Sequence, residues 1–190
     1  APDYVLVPAT SLDAFVAAAM AQARSAYPKP AANADYTSII SERHHARLTA
    51  ALAEAEAAGA TVHRHSDVAT TSETGEGAGR MAPAIVVGAP EDSVLMREEI
   101  FGPILPVVPY RDLDEALAIV NSRERPLALY CFTGDKRTET RVLDGAISGG
   151  VTVNGTLLHI AQDNLPFGGI GPSGMGAYHG RDGFLRFSHA

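Results

Sequence analysis

The residues with the clearest chemical potential form one short run, Glu98-Glu99-Ile100-Phe101-Gly102-Pro103. A carboxylate beside an aromatic ring on a rigid turn can hold a ribose. Its oxygens accept hydrogens from two neighbouring hydroxyls, and the ring offers a flat apolar surface. Taken alone, the same six residues are also an ordinary acidic turn between two elements. Cys131 is the single cysteine, set in the apolar run from Leu127 to Phe132 with no basic residue to lower its pKa. A buried, unreactive core thiol is the expectation there. Gly169-Ile170-Gly171-Pro172-Ser173-Gly174 spells G-x-G-x-x-G, yet Pro166 and Phe167 stand where the fingerprint needs a strand. SGMGAYHG stands where it needs a helix, and is too rich in glycine to open a stable one. This stretch reads as coil passing close to other backbone.

The histidines offer little. His44 and His45 project about 100° apart on a helix, which suits a solvated face better than one shared metal. His159, His179 and His189 have no ligand spacing. Asn154-Gly155-Thr156 matches a glycosylation sequon, but Asn-Gly as a turn former is the better reading.

These residues need elements to place them. Residues 4–8 form a short β-favouring run. Residues 11–27 carry Leu12, Phe15, Val16, Ala19 and Ala23 at helical spacing, with Thr10 or Ser11 as cap and Pro28 soon after. A second helix over 41–58 puts Leu48, Ala51, Leu52 and Ala55 on one face and ends at Gly59. A strand is expected at 61–65, then a polar, glycine-rich surface loop over 67–80. Strands at 84–87 and 105–110 flank the EEIFGP run. Asp112 and Glu115 resemble a capping box, opening a helix with Leu113, Ala116, Leu117 and Val120 as its buried stripe. Residues 127–133 read as a strand covered on both faces, 135–144 as a helix and 150–154 as a strand. From Thr156 onward a glycine-rich coil is expected, with a terminal strand over 184–188. Strands alternating with amphipathic helices predict an α/β fold on a mostly parallel, doubly wound sheet, with residues 1–190 as one domain.

Bulk properties narrow the function classes. A net charge of −7 with scattered acidic residues argues against nucleic acid or an anionic membrane surface, both of which need concentrated Lys and Arg. One cysteine excludes an intramolecular disulfide and fits a reducing cytoplasm. No apolar run approaches the roughly 20 residues of a membrane helix.

The motifs together resemble the aldehyde dehydrogenase superfamily. EEIFGP before an apolar strand, ERPLALYCFTGD, SGGVTVN and LPFGGIGPSGMGAYHG occur in that family's order and at its spacing, and APDYVLVP and TSIISERHHARL are similar upstream. APDYV, VTVN-x-x-LLH and SGMGAYHG resemble most the class 3-like branch, with its bacterial coniferyl aldehyde dehydrogenases. The resemblance implies that Glu99 and Phe101 bind the nicotinamide ribose of NAD or NADP. It further implies that Leu157, Ile160, Ala161, Phe167 and His179 wall an aldehyde pocket, and that no metal is needed. In the family a cysteine thiolate attacks the aldehyde, hydride passes from the hemithioacetal to nicotinamide, and water hydrolyses the thioester.

By the same resemblance the nucleophile falls about two residues before Ala1, so the chain itself holds no catalytic residue. The general base and the cofactor-binding domain are likewise expected upstream, and the chain alone is expected to be inactive. The expected partners are an aldehyde substrate, the missing N-terminal cofactor-binding half and further copies of the same chain. Strands 150–154 and 184–188 are the candidates for that last contact. The alternative is a non-catalytic α/β interaction module that kept the fold.

Overall fold

A computed structural model of the chain describes residues 2–65 and 79–189. Most of the expected 67–80 loop therefore lies outside the described residues. Residues 1–190, read from sequence as one domain, divide into two compact units, Ala1–Arg111 and Asp112–Ala190.

The first unit is built on four strands, β1 (Val5–Pro8), β2 (Thr61–Arg64), β3 (Ala84–Val87) and β4 (Ile104–Tyr110), in the order β1-β4-β3-β2. β4 runs parallel to both β1 and β3, and β2 is an antiparallel edge. Successive strand residues face opposite sides, and this alternation sorts the core. On one face Ala84, Val86 and Ile104 pack with Leu48, Ala51, Leu52 and Ala55 of α2 (Glu42–Ala57). On the other, Ile85, Val107 and Val7 meet Val16 and Met20 of α1 (Leu12–Ala26). A helix on each face makes this sheet doubly wound.

Local chemistry explains the helix ends. The Ser41 hydroxyl accepts a 3.4 Å hydrogen bond from the His44 amide at the start of α2, and Gly59 takes φ +92° just past its end, a backbone state that favours glycine. Ser11 precedes α1 but makes no side-chain cap. The chain enters instead through a single tight turn, Ala9–Ser11. A four-residue helix missed by periodicity, α3 (Val94–Arg97), leads into the EEIFGP turn. It is too short to display a period.

The second unit pairs β5 (Ala128–Cys131) with β6 (Gly150–Val153) in parallel. The strand at 127–133 is shorter than expected and not covered on both faces: Ala128, Leu129 and Tyr130 are only partly buried. Two helices accompany this sheet, α4 (Leu113–Asn121) and α5 (Lys136–Gly145), each opened by an aspartate. Asp112 accepts from the Glu115 amide at 2.9 Å, and Asp135 from the amides of Arg137 and Thr138. Those bonds, led by one from the Thr138 hydroxyl, hold the Asp135 carboxyl below the usual range.

The expected terminal strand over 184–188 is not formed. Gly180–Arg186 is a helix, α6, and Phe187 and Ser188 continue its turn. A helix satisfies its backbone from within, whereas a strand draws its hydrogen bonds from a neighbour. Among the described residues no helix is long and apolar enough to cross a membrane.

Candidate functional site

Glu99 and Phe101 lie where α3 gives way to β4. Both side chains are exposed, Phe101 by 76%, while Ile100 between them is 2% exposed and anchored in the core under α2. Phe101 has φ +48°, a left-handed state that costs a non-glycine residue about 1 kcal/mol or more. Gly102 follows without a side chain: a Cβ there would sit 2.5 Å from the Leu48 Cδ1 atom, which would have to shift. The Pro103 carbonyl then accepts from the Ala84 amide at 2.8 Å, which joins the turn to β3.

Around the turn is an open pocket of about 320 Å³ lined by Ile40, His44, Arg47, Glu98, Glu99 and Phe101. Arg47 was not singled out in the sequence. It donates to the Ile100 carbonyl at 2.6 Å and the Glu99 carbonyl at 3.3 Å, and faces the Glu98 carboxylate at 3.7 Å. Asp3 was missed as well: its carboxylate accepts from the Ile100 amide at 3.0 Å. No local pattern ties a residue to a partner 97 positions away. Among the described residues the Glu99 carboxylate has no hydrogen-bond or ion-pair partner. A free acceptor pair beside an exposed ring fits a ribose diol.

His44 lines the pocket and is exposed. His45, expected on a solvated face, is instead 8% exposed, because the 100° step along α2 carries it inward beside the Leu48 face. Among the described residues no three histidine, cysteine or acidic side chains are placed to hold a metal.

In the second unit the glycine-rich coil is folded on itself. Phe167 and Tyr178 form an antiparallel bridge with hydrogen bonds of 2.9 and 3.0 Å. Between them the G-x-G-x-x-G stretch contains only a tight turn, Gly171–Ser173, with neither strand before nor helix after it. Its glycines permit contact between backbones: a Cβ on Gly169 would lie 2.0 Å from the Ser173 carbonyl oxygen. Phe167 stacks on His179 with centroids 6.2 Å apart and lies 5.7 Å from His159. His159 is 7% exposed, and its Nδ1 shares a 2.9 Å hydrogen bond with the Thr152 hydroxyl of β6.

Of the five expected pocket-wall residues, Phe167 lines an open pocket in this unit, together with Leu127, Met175, Tyr178 and Phe187. Leu157 and Ile160 share a turn outside it, closed by a 3.2 Å bond from the Ile160 amide to the Leu157 carbonyl. Leu157 is 50% exposed, Ile160 39%, and Ala161 is exposed too. His179 joins Phe167 through ring stacking and does not line that pocket.

Cys131 is buried. Burial pushes its thiol up, and the negative charge of Glu139 adds to the shift. Its burial agrees with the core position that its apolar run suggested. Asn154 has φ +55°, as a turn-forming residue does. It follows β6 and clasps the end of β5, accepting from the Thr133 amide and donating to its carbonyl, both at 2.9 Å.

A doubly wound sheet with an acidic-aromatic turn leading into its central strand defines a class, and comparison with known proteins names it. The family model described as the aldehyde dehydrogenase family matches residues 1–190. The chain is 46% identical over 189 residues to a probable coniferyl aldehyde dehydrogenase of Caulobacter vibrioides, covering 100% of this chain and 39% of that protein. It is 47% identical over 191 residues to the coniferyl aldehyde dehydrogenase of Pseudomonas sp. strain HR199, with the same coverage. Among solved structures, AldH of Staphylococcus aureus in its substrate-bound state superposes with a TM-score of 0.85 at 37% identity, over 100% of this chain and 40% of that one. The chain belongs to the aldehyde dehydrogenase family. It spans about two fifths of the length of the curated relatives it matches.

Proposed function

We propose that this chain is the dinucleotide-ribose edge and part of the aldehyde-pocket wall of an NAD(P)-dependent aldehyde dehydrogenase. The enzyme would oxidise an aromatic, coniferaldehyde-like aldehyde to its acid. The observation that carries the reading is the Glu98–Pro103 turn, where a free carboxylate and an exposed aromatic ring line one open pocket. Glu99 would accept the two ribose hydroxyls and Phe101 would pack on the adjoining face. The bound dinucleotide supplies the hydride acceptor for the oxidation.

The remaining residues shape and shield. Phe167 and the bridged coil form an aromatic, apolar surface suited to a phenyl ring, with Leu157, Ile160, Ala161 and His179 as further wall residues. None of these 190 residues is assigned as nucleophile or general base, and the chain by itself would not turn over an aldehyde. The side of β6 away from β5 would be the contact through which copies assemble. The similarity to coniferyl aldehyde dehydrogenases supports the substrate class.

The test uses the full-length protein carrying this chain, with coniferaldehyde and either dinucleotide, following reduced dinucleotide by absorbance. Glu99→Ala is expected to raise the dinucleotide KM by about tenfold or more, as loss of a charged hydrogen-bond acceptor does. The 190-residue chain is expected to show no turnover. An unchanged KM in Glu99→Ala would refute the ribose assignment. Absence of aldehyde oxidation by the full-length protein would favour the interaction module instead.

A further inference from the structure

The turn that carries Glu99 and Phe101 is held by side chains from distant parts of the chain, and their geometry has a directional logic. Ile100 has both its backbone groups bound by side chains: its amide donates to Asp3 at 3.0 Å and its carbonyl accepts from Arg47 at 2.6 Å. The same Arg47 nitrogen reaches the Glu99 carbonyl, and its other terminal nitrogen faces the Glu98 carboxylate at 3.7 Å. Of the acidic pair, one member is thus drawn to the guanidinium while the other keeps its carboxylate free. One residue further on, Phe101 occupies the left-handed region with its ring 76% exposed. Such a conformation persists only where the surroundings over-determine it, and little burial of the ring repays its cost.

We propose that Arg47 and Asp3 are positioning residues that preset the Glu99–Phe101 turn for the ribose of a dinucleotide. This rests on the ribose assignment made above. A turn fixed before binding spares the ligand the cost of ordering it. Loosening it should weaken affinity in proportion to the fraction of molecules that leave the competent geometry. Arg47 suits the role because its planar fork can serve two carbonyls and a carboxylate at once, which a lysine ammonium cannot do in fixed directions.

The experiment uses the full-length protein and two readouts: the Kd of NAD+ and NADP+ by calorimetry, and amide hydrogen exchange of the peptide spanning 98–103. Arg47→Met, which keeps the stem and removes the fork, should raise Kd and exchange in that peptide together, each by about tenfold. Peptides from β3 and β4 should stay protected. Arg47→Lys should recover part of the loss. Asp3→Asn, which retains an acceptor oxygen, should bind more tightly than Asp3→Ala.

A weaker Kd with unchanged exchange at 98–103 would overturn the proposal, because Arg47 would then touch the ligand directly. Faster exchange throughout β3 and β4 would also overturn it, in favour of a general structural role. Should Arg47→Met fail to fold, the Asp3→Ala and Asp3→Asn pair decides by the same criteria. Glu99→Ala serves as the control. If it leaves Kd unchanged, the ribose assignment fails; if it weakens Kd while neither Arg47→Met nor Asp3→Ala does, only the positioning role fails.

Discussion

Phe101 holds a backbone state in which an L side chain is strained while its ring gains little from burial. Stability and binding should therefore separate at this residue. At an ordinary position alanine is more stable than glycine; at φ +48° the order should invert, with Phe101→Gly melting above Phe101→Ala by the equivalent of about 1 kcal/mol. Both should bind dinucleotide more weakly than the parent. Paired thermal melts and dinucleotide titrations check this, and the usual order of the two variants would show that the turn is not strained.

Tyr36 carries the clearest pH signature. Its hydroxyl donates to the Met81 carbonyl at 2.6 Å, and burial, with Tyr27 adding to it, pushes its pKa from 10.0 up to about 12. A raised folded pKa favours the neutral phenol. Its contribution is complete below pH 10 and is lost as pH rises from 10 to 12. Because the ring is only half-buried, solvent screening limits this to roughly 1 kcal/mol. Urea midpoints for the parent and Tyr36→Phe should converge over that interval.

At the scale of elements, the contact between α2 and the turn before β4 sets how deeply the site is seated. Leu48 is 1% exposed, so its methyl groups must shift within a packed core to admit a Cβ on Gly102. Gly102→Ala should destabilise by about 1–3 kcal/mol, as overpacking does. Leu48→Val should relieve part of that cost, giving a favourable coupling in a double-mutant cycle of denaturation midpoints. Simple additivity would mean that the two residues do not meet. The periodicity that placed Leu48, Ala51, Leu52 and Ala55 on one face was legible in sequence. The glycine's role was not, because it depends on the distance between two elements.

For the whole molecule the telling feature is uncovered apolar surface. Phe132, Met175, Phe184 and Phe187 are each more than two-thirds exposed, and the chain spans about two fifths of its relatives' length. Surface of this kind favours association. The 190-residue chain should sediment as a concentration-dependent mixture larger than a monomer. Met175→Gln with Phe187→Ser should shift it toward monomer in sedimentation velocity. A sharp monomer for the parent chain would count against the prediction.

The linear sequence determined whatever depends on neighbours one to four residues apart. That includes the two long amphipathic helices, the aspartate cap of α4, the strands at 84–87 and 105–110, the apolar setting of Cys131 and the family-bearing EEIFGP turn. Tertiary structure decided what depends on partners remote in sequence: His45 turning inward, the 184–188 run closing on itself as a helix, and Arg47 and Asp3 gripping Ile100 from either side. The physical reason is common to all of these. Periodicity and capping are local properties of a chain, whereas a buried face, a strand's pairing and a clamp on a backbone carbonyl exist only once distant segments meet.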